Sequence, residues 1–440
     1  VVLAGDAGIG KTSLASSLAR QAHGHGGVVL FGRAAEEGLA PYQPFLHALR
    51  HYLVLADLDE VGPAVREYGP ELARLVPEIR RRVLDLPASP EAEPEGERYR
   101  LFEAVVGLLS AISERAPILL FLDDLHWADR PTLLLLRHLA RAPGPSRLLI
   151  LIAYRSEAPA EGLRDLLSDL SREHLVAHLD IGGLERHETT NLVRVRAGQV
   201  PSRPLGAALY EASEGNPLFI EEIVRNLTQA GVEVGTASAA VLRGFALPEG
   251  VKRMIARRVD RLDPDTVQLL RMAAVVGRDF DLSLLEQVAG RGEEELLEAL
   301  EAALAAAVVI ESPKEPGRYA FSHALIREAL YEGMSASRRA RIHRQVAAAL
   351  EGRSASPRTL AYHFTRAASA EDAEKAIAYA IEAAAAATSV LAHEEAAEHY
   401  FRALEVLDRY QPEAERQRLE LLLLFGEASV RSGERARVRE

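Results

Sequence analysis

No cysteine occurs in the 440 residues, which excludes disulfides and thiolate metal sites and fits a cytoplasmic location. Long apolar runs are missing as well. The stretch ILLFL from Ile118 to Leu122 falls far short of the roughly 18 residues a membrane span needs, so no membrane partner is expected. Nor is there an excess of positive charge. A formal net charge of −12 argues against nucleic-acid binding by the chain as a whole, because that requires a basic footprint. Lysine is confined to Lys11, Lys252, Lys314 and Lys375, and nearly all other positive charge is arginine. Lys11 is therefore the sole lysine of the first half, in the one motif that favours a compact ammonium over a planar fork. Tryptophan occurs once, at Trp127.

What the chain does have is apolar residues for real cores, at 48% of its composition, and a length that suggests about three domains of ~150 residues each. Up to about Ile181, short β-rich runs alternate with amphipathic helical stretches, the pattern of a parallel sheet covered by helices on both faces. The expected strands are Val1–Ala4, Val28–Phe31, Ile118–Leu122, Leu148–Ala153 and Leu175–Ile181. PASPEAEPEGER, from Pro87 to Arg98, reads as a mobile surface loop. Past Gly182 the strands stop, and helices are expected over Glu185–Ala197, Leu205–Ser213 and Pro217–Ala230, the last capped by Asn216 with Pro217 in its first turn. A stretch from Val232 to Phe245 reads as a linker. Four short helices and two strands, Val308–Glu311 and Tyr319–Phe321, then suggest a winged helix. The tail from Ser335 is all helical, and AHEEAAEHYFRALEVL has the spacing of a tetratricopeptide-like hairpin. The expected divisions are a nucleotide-binding domain at 1–181, a helical lid at 182–246, a winged helix at 247–334 and helical repeats at 335–440.

The chemistry is concentrated in three segments. GDAGIGKT, from Gly5 to Thr12, matches G-x-x-x-x-G-K-[ST] after an apolar strand and before a helix. Its backbone from Gly5, Asp6, Ala7 and Gly8 through Ile9, Gly10 and into Ser13 would turn N–H groups toward phosphate oxygens at a helix N-terminus. Lys11 would neutralise the β- and γ-phosphates and the Thr12 hydroxyl would ligate Mg²⁺. Only Val1 to Ala4 precede this loop, so the chain reads as an internal piece of a longer protein.

In the second segment, PILLFLDDLHWAD, five apolar residues run into Asp123, placed at a strand end to hold Mg²⁺ through water. Asp124 either orients the attacking water or caps the following turn; Asp129 caps the next helix, and Trp127 reads as a packing residue. In the third, LLILIAYRSE, Arg155 ends a strand on the same sheet edge, where it either reaches a γ-phosphate or pairs with Glu157. HGHGG, from His23 to Gly27, has two imidazoles but no third ligand nearby and reads as a solvated turn. GEEELLEALEAALAA, at the recognition-helix position of the expected winged helix, carries five glutamates and no basic residue, so phosphates would repel it.

Together with EGNPLFIEE, AAVVGRDF, PYQPF at Pro41 to Phe45 and FSHALIREALYEGMSASRRARIHRQVA, these segments resemble the signal-transducing ATPases of the AAA-related STAND class. More closely, they resemble the ATPase modules of large LuxR-type bacterial regulators and of cyclase-linked bacterial proteins. The resemblance covers nearly the whole chain. It implies an ATP/ADP switch with slow hydrolysis and a lid whose Pro217 lies against the nucleotide. An inducer or partner protein would act at the helical repeats, with self-assembly in the ATP state. DNA would be reached only through an output domain outside this sequence, as would a cyclase. It further implies that His323 contacts the phosphates in the closed form, against the alternative of a helix cap or packing on Phe321. An AAA motor or DNA-loading ATPase remains the other class to weigh; no translocation loop or basic channel is visible in the sequence.

Overall fold

The computed structural model describes residues 1–35, 40–56, 58–83, 86, 94–143, 147–156, 161–238, 259, 262–313, 315–367 and 369–433. By contacts it divides into two compact units. The first holds Val1–Gly182, Ile381–Phe401 and Arg416–Glu440; the second holds Gly183–Ala380 and Arg402–Glu415.

In the first unit five parallel strands form one sheet: β1 (Val2–Gly5), β2 (Val28–Arg33), β3 (Ile118–Asp123), β4 (Leu148–Arg155) and β5 (His178–Asp180). Their order is β2-β3-β4-β1-β5. Parallel strands with both faces covered read as unbroken apolar runs, and every residue of β1 and β3 is buried accordingly. The edge strand β5 is exposed throughout and shorter than Leu175–Ile181 suggested, because Leu175 lies outside the ladder and is itself exposed. Because β4 lies between β1 and β3, its C-terminal end comes to rest between the phosphate-loop strand and the Asp123 strand.

The loop expected over Pro87–Arg98 is corrected at its end. Residues 94 to 98 belong to the helix Pro94–Arg115, and residues 87–93 lie outside the described residues. Proline is tolerated in a first helical turn, and Leu101, Phe102, Val105, Leu108, Leu109 and Ile112 then recur at helical spacing and are buried. The Pro/Glu composition masked the apolar stripe that follows it. From this helix Arg98 reaches Glu394, in the first turn of the helix His393–Tyr410, at 2.9 Å, with both side chains largely buried.

In the second unit the helices Arg186–Ala197, Arg203–Ser213 and Pro217–Gln229 share a core of Val193, Leu205, Leu209, Ile220, Val224 and Leu227. Asn216 caps the third, its Oδ1 accepting from the Leu218 amide at 3.1 Å, with Pro217 in the first turn. The linker expected to end at Phe245 is described only to residue 238, and the helix expected from residue 247 lies almost entirely outside the described residues.

Next come the helix Pro264–Val276, strand β6 (Asp279–Asp281), the helices Leu282–Ala289 and Glu293–Ala305, and strands β7 (Val309–Glu311) and β8 (Arg318–Phe321). These strands form an antiparallel sheet in the order β6-β8-β7. Strand β6 was not expected. Two of its three residues are aspartates, so no apolar run marks it, and β6 exists because β8 offers it a partner. After β8 the described residues are helical: Ala324–Glu332, Ala336–Glu351, Pro357–Ala367, Ala373–Ser389, His393–Tyr410 and Glu415–Arg431. No helix among the described residues is long and apolar enough to cross a membrane.

Candidate functional site

The loop after β1 needs its glycines for two distinct reasons. At Gly5 a Cβ would stand 2.7 Å from the Ile181 carbonyl oxygen, so only the bare backbone fits. At Gly10, φ is 104°, a left-handed value that side chains disfavour. Gly10 is also the N-cap of the helix Lys11–Gly24, and no side chain caps that helix. A helix N-terminus left uncapped by side chains, at the end of a buried strand, suits an anion.

Lys11 is 8% exposed and its ammonium folds back on the loop, donating to the carbonyls of Gly5 and Asp6 at 2.8 Å each. Burial pushes its pKa down, the Asp124 carboxylate pulls it up, and Arg155 opposes that, with smaller upward pulls from Asp123 and Asp6. Two neutral carbonyls satisfy hydrogen bonds without cancelling the charge, which leaves the ammonium ready for an anionic partner.

Thr12 donates through Oγ1 to Asp123 Oδ2 at 3.0 Å, while Asp123 Oδ1 accepts from the Asp124 amide at 3.0 Å. Asp123 is almost fully buried, and burial followed by the like charge of Asp124 raises its pKa. Arg33 and the two hydrogen bonds work in the opposite direction. A hydroxyl and a carboxylate side by side are hard oxygen donors, the kind Mg²⁺ takes together with phosphate oxygens and water. These two residues fit that ion, which would shield the charge on a bound triphosphate.

Asp124 adopts φ 54°, ψ 36°, a left-handed conformation that costs a residue with a side chain of order 1–3 kcal/mol. It sits at the N-cap of a 3-10 turn, Leu125–Trp127, yet its carboxylate makes no cap bond. Its Oδ2 instead accepts from Arg33 at Nε, 2.8 Å away, and also at Nη2. Arg33 ends β2 in register with Asp123 of β3, and sequence reasoning missed it, because nothing local ties it to a carboxylate 91 residues on. Arg155 pairs in register with Gly5, and its charge acts on Lys11 and on His126. Its suggested partner Glu157 lies outside the described residues.

His126 was also missed. It is 7% exposed, and neither ring nitrogen has a hydrogen-bond partner. Burial lowers its pKa to about 4, opposed by Asp124 and reinforced by Arg155, Lys11 and Arg33. The only sequence signal was its place three residues after Asp123. Its ring packs against that of Trp127, 5.2 Å between centroids, and Trp127 is half exposed. Asp129 caps the helix Arg130–Arg141 by accepting from Thr132 N at 2.7 Å, and its other oxygen accepts from Tyr42 N at 3.1 Å. That second bond ties the PYQPF segment to the loop after β3.

The structure thus brings Lys11, Thr12, Asp123, Asp124 and Arg155 to one edge of one sheet. Pro217 and His323 belong to the second unit. His323 is the N-cap residue of the helix Ala324–Glu332, but its side chain makes no capping bond. His23 and His25 close the first helix, where His25 Nδ1 meets the Gln21 carbonyl at 2.7 Å, and no group of three metal-ligating side chains occurs among the described residues.

The solved structure of a Signal Transduction ATPase with Numerous Domains (STAND) protein with a tetratricopeptide repeat sensor, from Pyrococcus horikoshii, aligns over 98% of this chain at a TM-score of 0.52 and 17% identity. At that identity the likeness is one of fold. Cdc6p from Pyrobaculum aerophilum aligns over 76% of this chain and 88% of its own at 12% identity, with a TM-score of 0.34. An uncharacterized protein of Rhizobium meliloti (strain 1021) is 25% identical over 370 residues, 79% of this chain. The alignments span only 34% of that relative's length and 59% of the STAND structure's chain. Residues 1–152 match the family model of the AAA ATPase domain, and the parallel sheet they help to build has the AAA P-loop fold.

Proposed function

We propose that this chain is an ATP-binding regulatory switch with slow hydrolysis, the ATPase module of a larger signalling protein. The observation that carries the reading is the Lys11–Thr12–Asp123–Asp124 constellation on a phosphate-binding loop. Lys11 would leave the Gly5 and Asp6 carbonyls for the β- and γ-phosphates, Thr12 and Asp123 would hold Mg²⁺, and Asp124 would orient the attacking water. Arg155, at the end of the strand between β1 and β3, would read the γ-phosphate. ATP and ADP then differ by two or three charge-assisted contacts of about 1.5–3 kcal/mol each. That is enough to supply the roughly 5.5 kcal/mol that inverts a 1:99 population.

Two further features support a switch. The order helix–strand–helix–helix–strand–strand from Pro264 to Phe321 supports reading this segment as a winged helix, and its helix Glu293–Ala305 carries Glu293, Glu294, Glu295, Glu298 and Glu301, a poor partner for DNA. In our reading it serves as a lever, with Pro217 of the lid and His323 contacting the nucleotide in the closed form. The Arg98–Glu394 pair also joins the nucleotide-binding domain to a helix of the tetratricopeptide-like region where an inducer would act. The output we favour is transcriptional, as in a LuxR-type regulator, through a domain outside this sequence. Purified protein should retain ADP and hydrolyse ATP at well under one turnover per minute. Steady multiple-turnover hydrolysis would instead indicate a motor.

A further inference from the structure

In the second unit, a small cavity of about 70 Å³ lies between the helices Pro264–Val276 and Ala336–Glu351. One wall is Gln268, Arg271 and Met272; the other is Arg338, Arg341, Ile342 and Gln345. Both sets follow i, i+3, i+4 spacing, so each is one face of its helix. Met272 and Ile342 belong to the apolar cluster beneath, with Val275 and Val346. Everything else on the wall is a guanidinium or a carboxamide, and no carboxylate lines it.

Three like charges around so small a space repel one another, and the neighbours do not relieve them. Arg338 and Arg341 make no ion pair among the described residues. Arg271 Nε is shut off from solvent without a hydrogen-bond partner, which leaves a charged group's donor unmet. Arg338 and Arg341 also stand in the first two turns after the Ser335 cap, where the helix already presents its positive end. Cations are disfavoured there and anions favoured. A chain with a net charge of −12 has carboxylates to spare for neutralising arginines, yet none lines this cavity.

We propose that this cavity binds the phosphate group of a small ligand, a single tetrahedral dianion held by Arg271, Arg338 and Arg341 with Gln268 and Gln345 completing the donor set. Guanidinium forks match phosphate oxygens in pairs, and three of them balance a dianion better than a carboxylate. The cavity has room for one such group and not for a nucleoside. Arg338 and Arg341 are exposed, so the phosphate arrives either as the free ion or at the end of a larger molecule. Bound there, it would clamp the helix Ala336–Glu351 to the helix Pro264–Val276. This site is independent of the ATPase reading.

The phosphate loop also takes phosphate, so the test uses Lys11→Ala protein. Its thermal midpoint is followed against inorganic phosphate, glycerol 3-phosphate and, at matched ionic strength, sodium chloride. Stabilisation by inorganic phosphate or by glycerol 3-phosphate, absent with chloride, is the expected result, and the two arms separate the free ion from a monoester. Adding Arg341→Gln or Arg338→Gln, both on exposed positions, should weaken the apparent affinity about ten-fold or more. In phosphate-free buffer the same substitutions should raise the midpoint, because they relieve repulsion. An equal response with and without these arginines, an equal response to chloride, or no response to either phosphate would overturn the proposal.

Discussion

Arg33 and Asp124 form an ion pair across the ends of two neighbouring strands, with the guanidinium donating through Nε at 2.8 Å and through Nη2 to the same carboxylate oxygen. The pair engages the carboxylate proposed to orient the attacking water, in a residue held at a left-handed φ of 54°. A carboxylate oxygen that already accepts twice from a guanidinium has less capacity left to accept from a water.

Arg33→Met should therefore free Asp124 and raise ATP hydrolysis, by about ten-fold if one charge-assisted bond is lost, while ATP affinity stays close to the parent's. Phosphate release under single-turnover conditions measures it. A fall in rate would mean that Arg33 holds Asp124 in its working position.

Lys11→Ala should weaken ATP binding by at least a hundred-fold, since it removes the only ammonium at the loop and its charge-assisted bonds to two phosphates. Titration calorimetry reads this directly. Unchanged affinity would end the phosphate-loop reading.

The two aspartates should separate in their effects. Asp123→Asn takes a carboxylate from the Thr12 hydroxyl and should weaken binding only when Mg²⁺ is present. Asp124→Asn should keep Mg²⁺-dependent binding and slow hydrolysis by about a hundred-fold or more. Wild-type rates in both variants would show the acidic pair to be misassigned.

Stability should depend on pH through the buried histidines. His393 is 2% exposed with both ring nitrogens unpartnered, and burial, with Arg98 and Arg431, lowers its pKa to about 4. The unfolded chain takes up this proton near pH 6.5 while the folded chain resists it, so stability is full above that pH and falls as the solution is acidified toward pH 4. The loss from this residue is of order 3 kcal/mol. His343 and His363, joined through their Nδ1 atoms at 2.9 Å, are pushed down in the same direction by burial and by nearby arginines. Thermal melts between pH 7 and 4 should show a shallower decline for His393→Gln than for the parent. Parallel curves would place the acid sensitivity elsewhere.

His323→Ala should speed ADP release about ten-fold if its imidazole contacts the nucleotide in the closed form. The imidazole makes no capping bond to its own helix, so the substitution removes no cap. Trp127, half exposed beside His126, offers a fluorescence probe of release. Equal release rates would leave His323 a structural residue.

The phosphate loop, the apolar run into Asp123, the arginine at the end of β4, the Asn216 and Asp129 caps and the helical tail were all legible in the sequence. Each is a local pattern, written by residues within a turn or a strand of one another. Arg33, His126, strand β6, the buried Arg98–Glu394 pair and the cavity of three arginines were not legible. Each depends on a neighbour that the chain supplies far away in sequence. Arg33 meets Asp124 only because β2 and β3 are adjacent and in register, and Arg98 meets Glu394 across 296 residues. His126 is isolated from partners only because the turn after β3 is buried. Helical spacing puts Arg338 and Arg341 on one face, but only the packing of that face against the helix carrying Arg271 closes a cavity around them. Side-chain periodicity is fixed by backbone geometry and is therefore local, whereas which faces and strand ends meet is decided by burial over the whole chain.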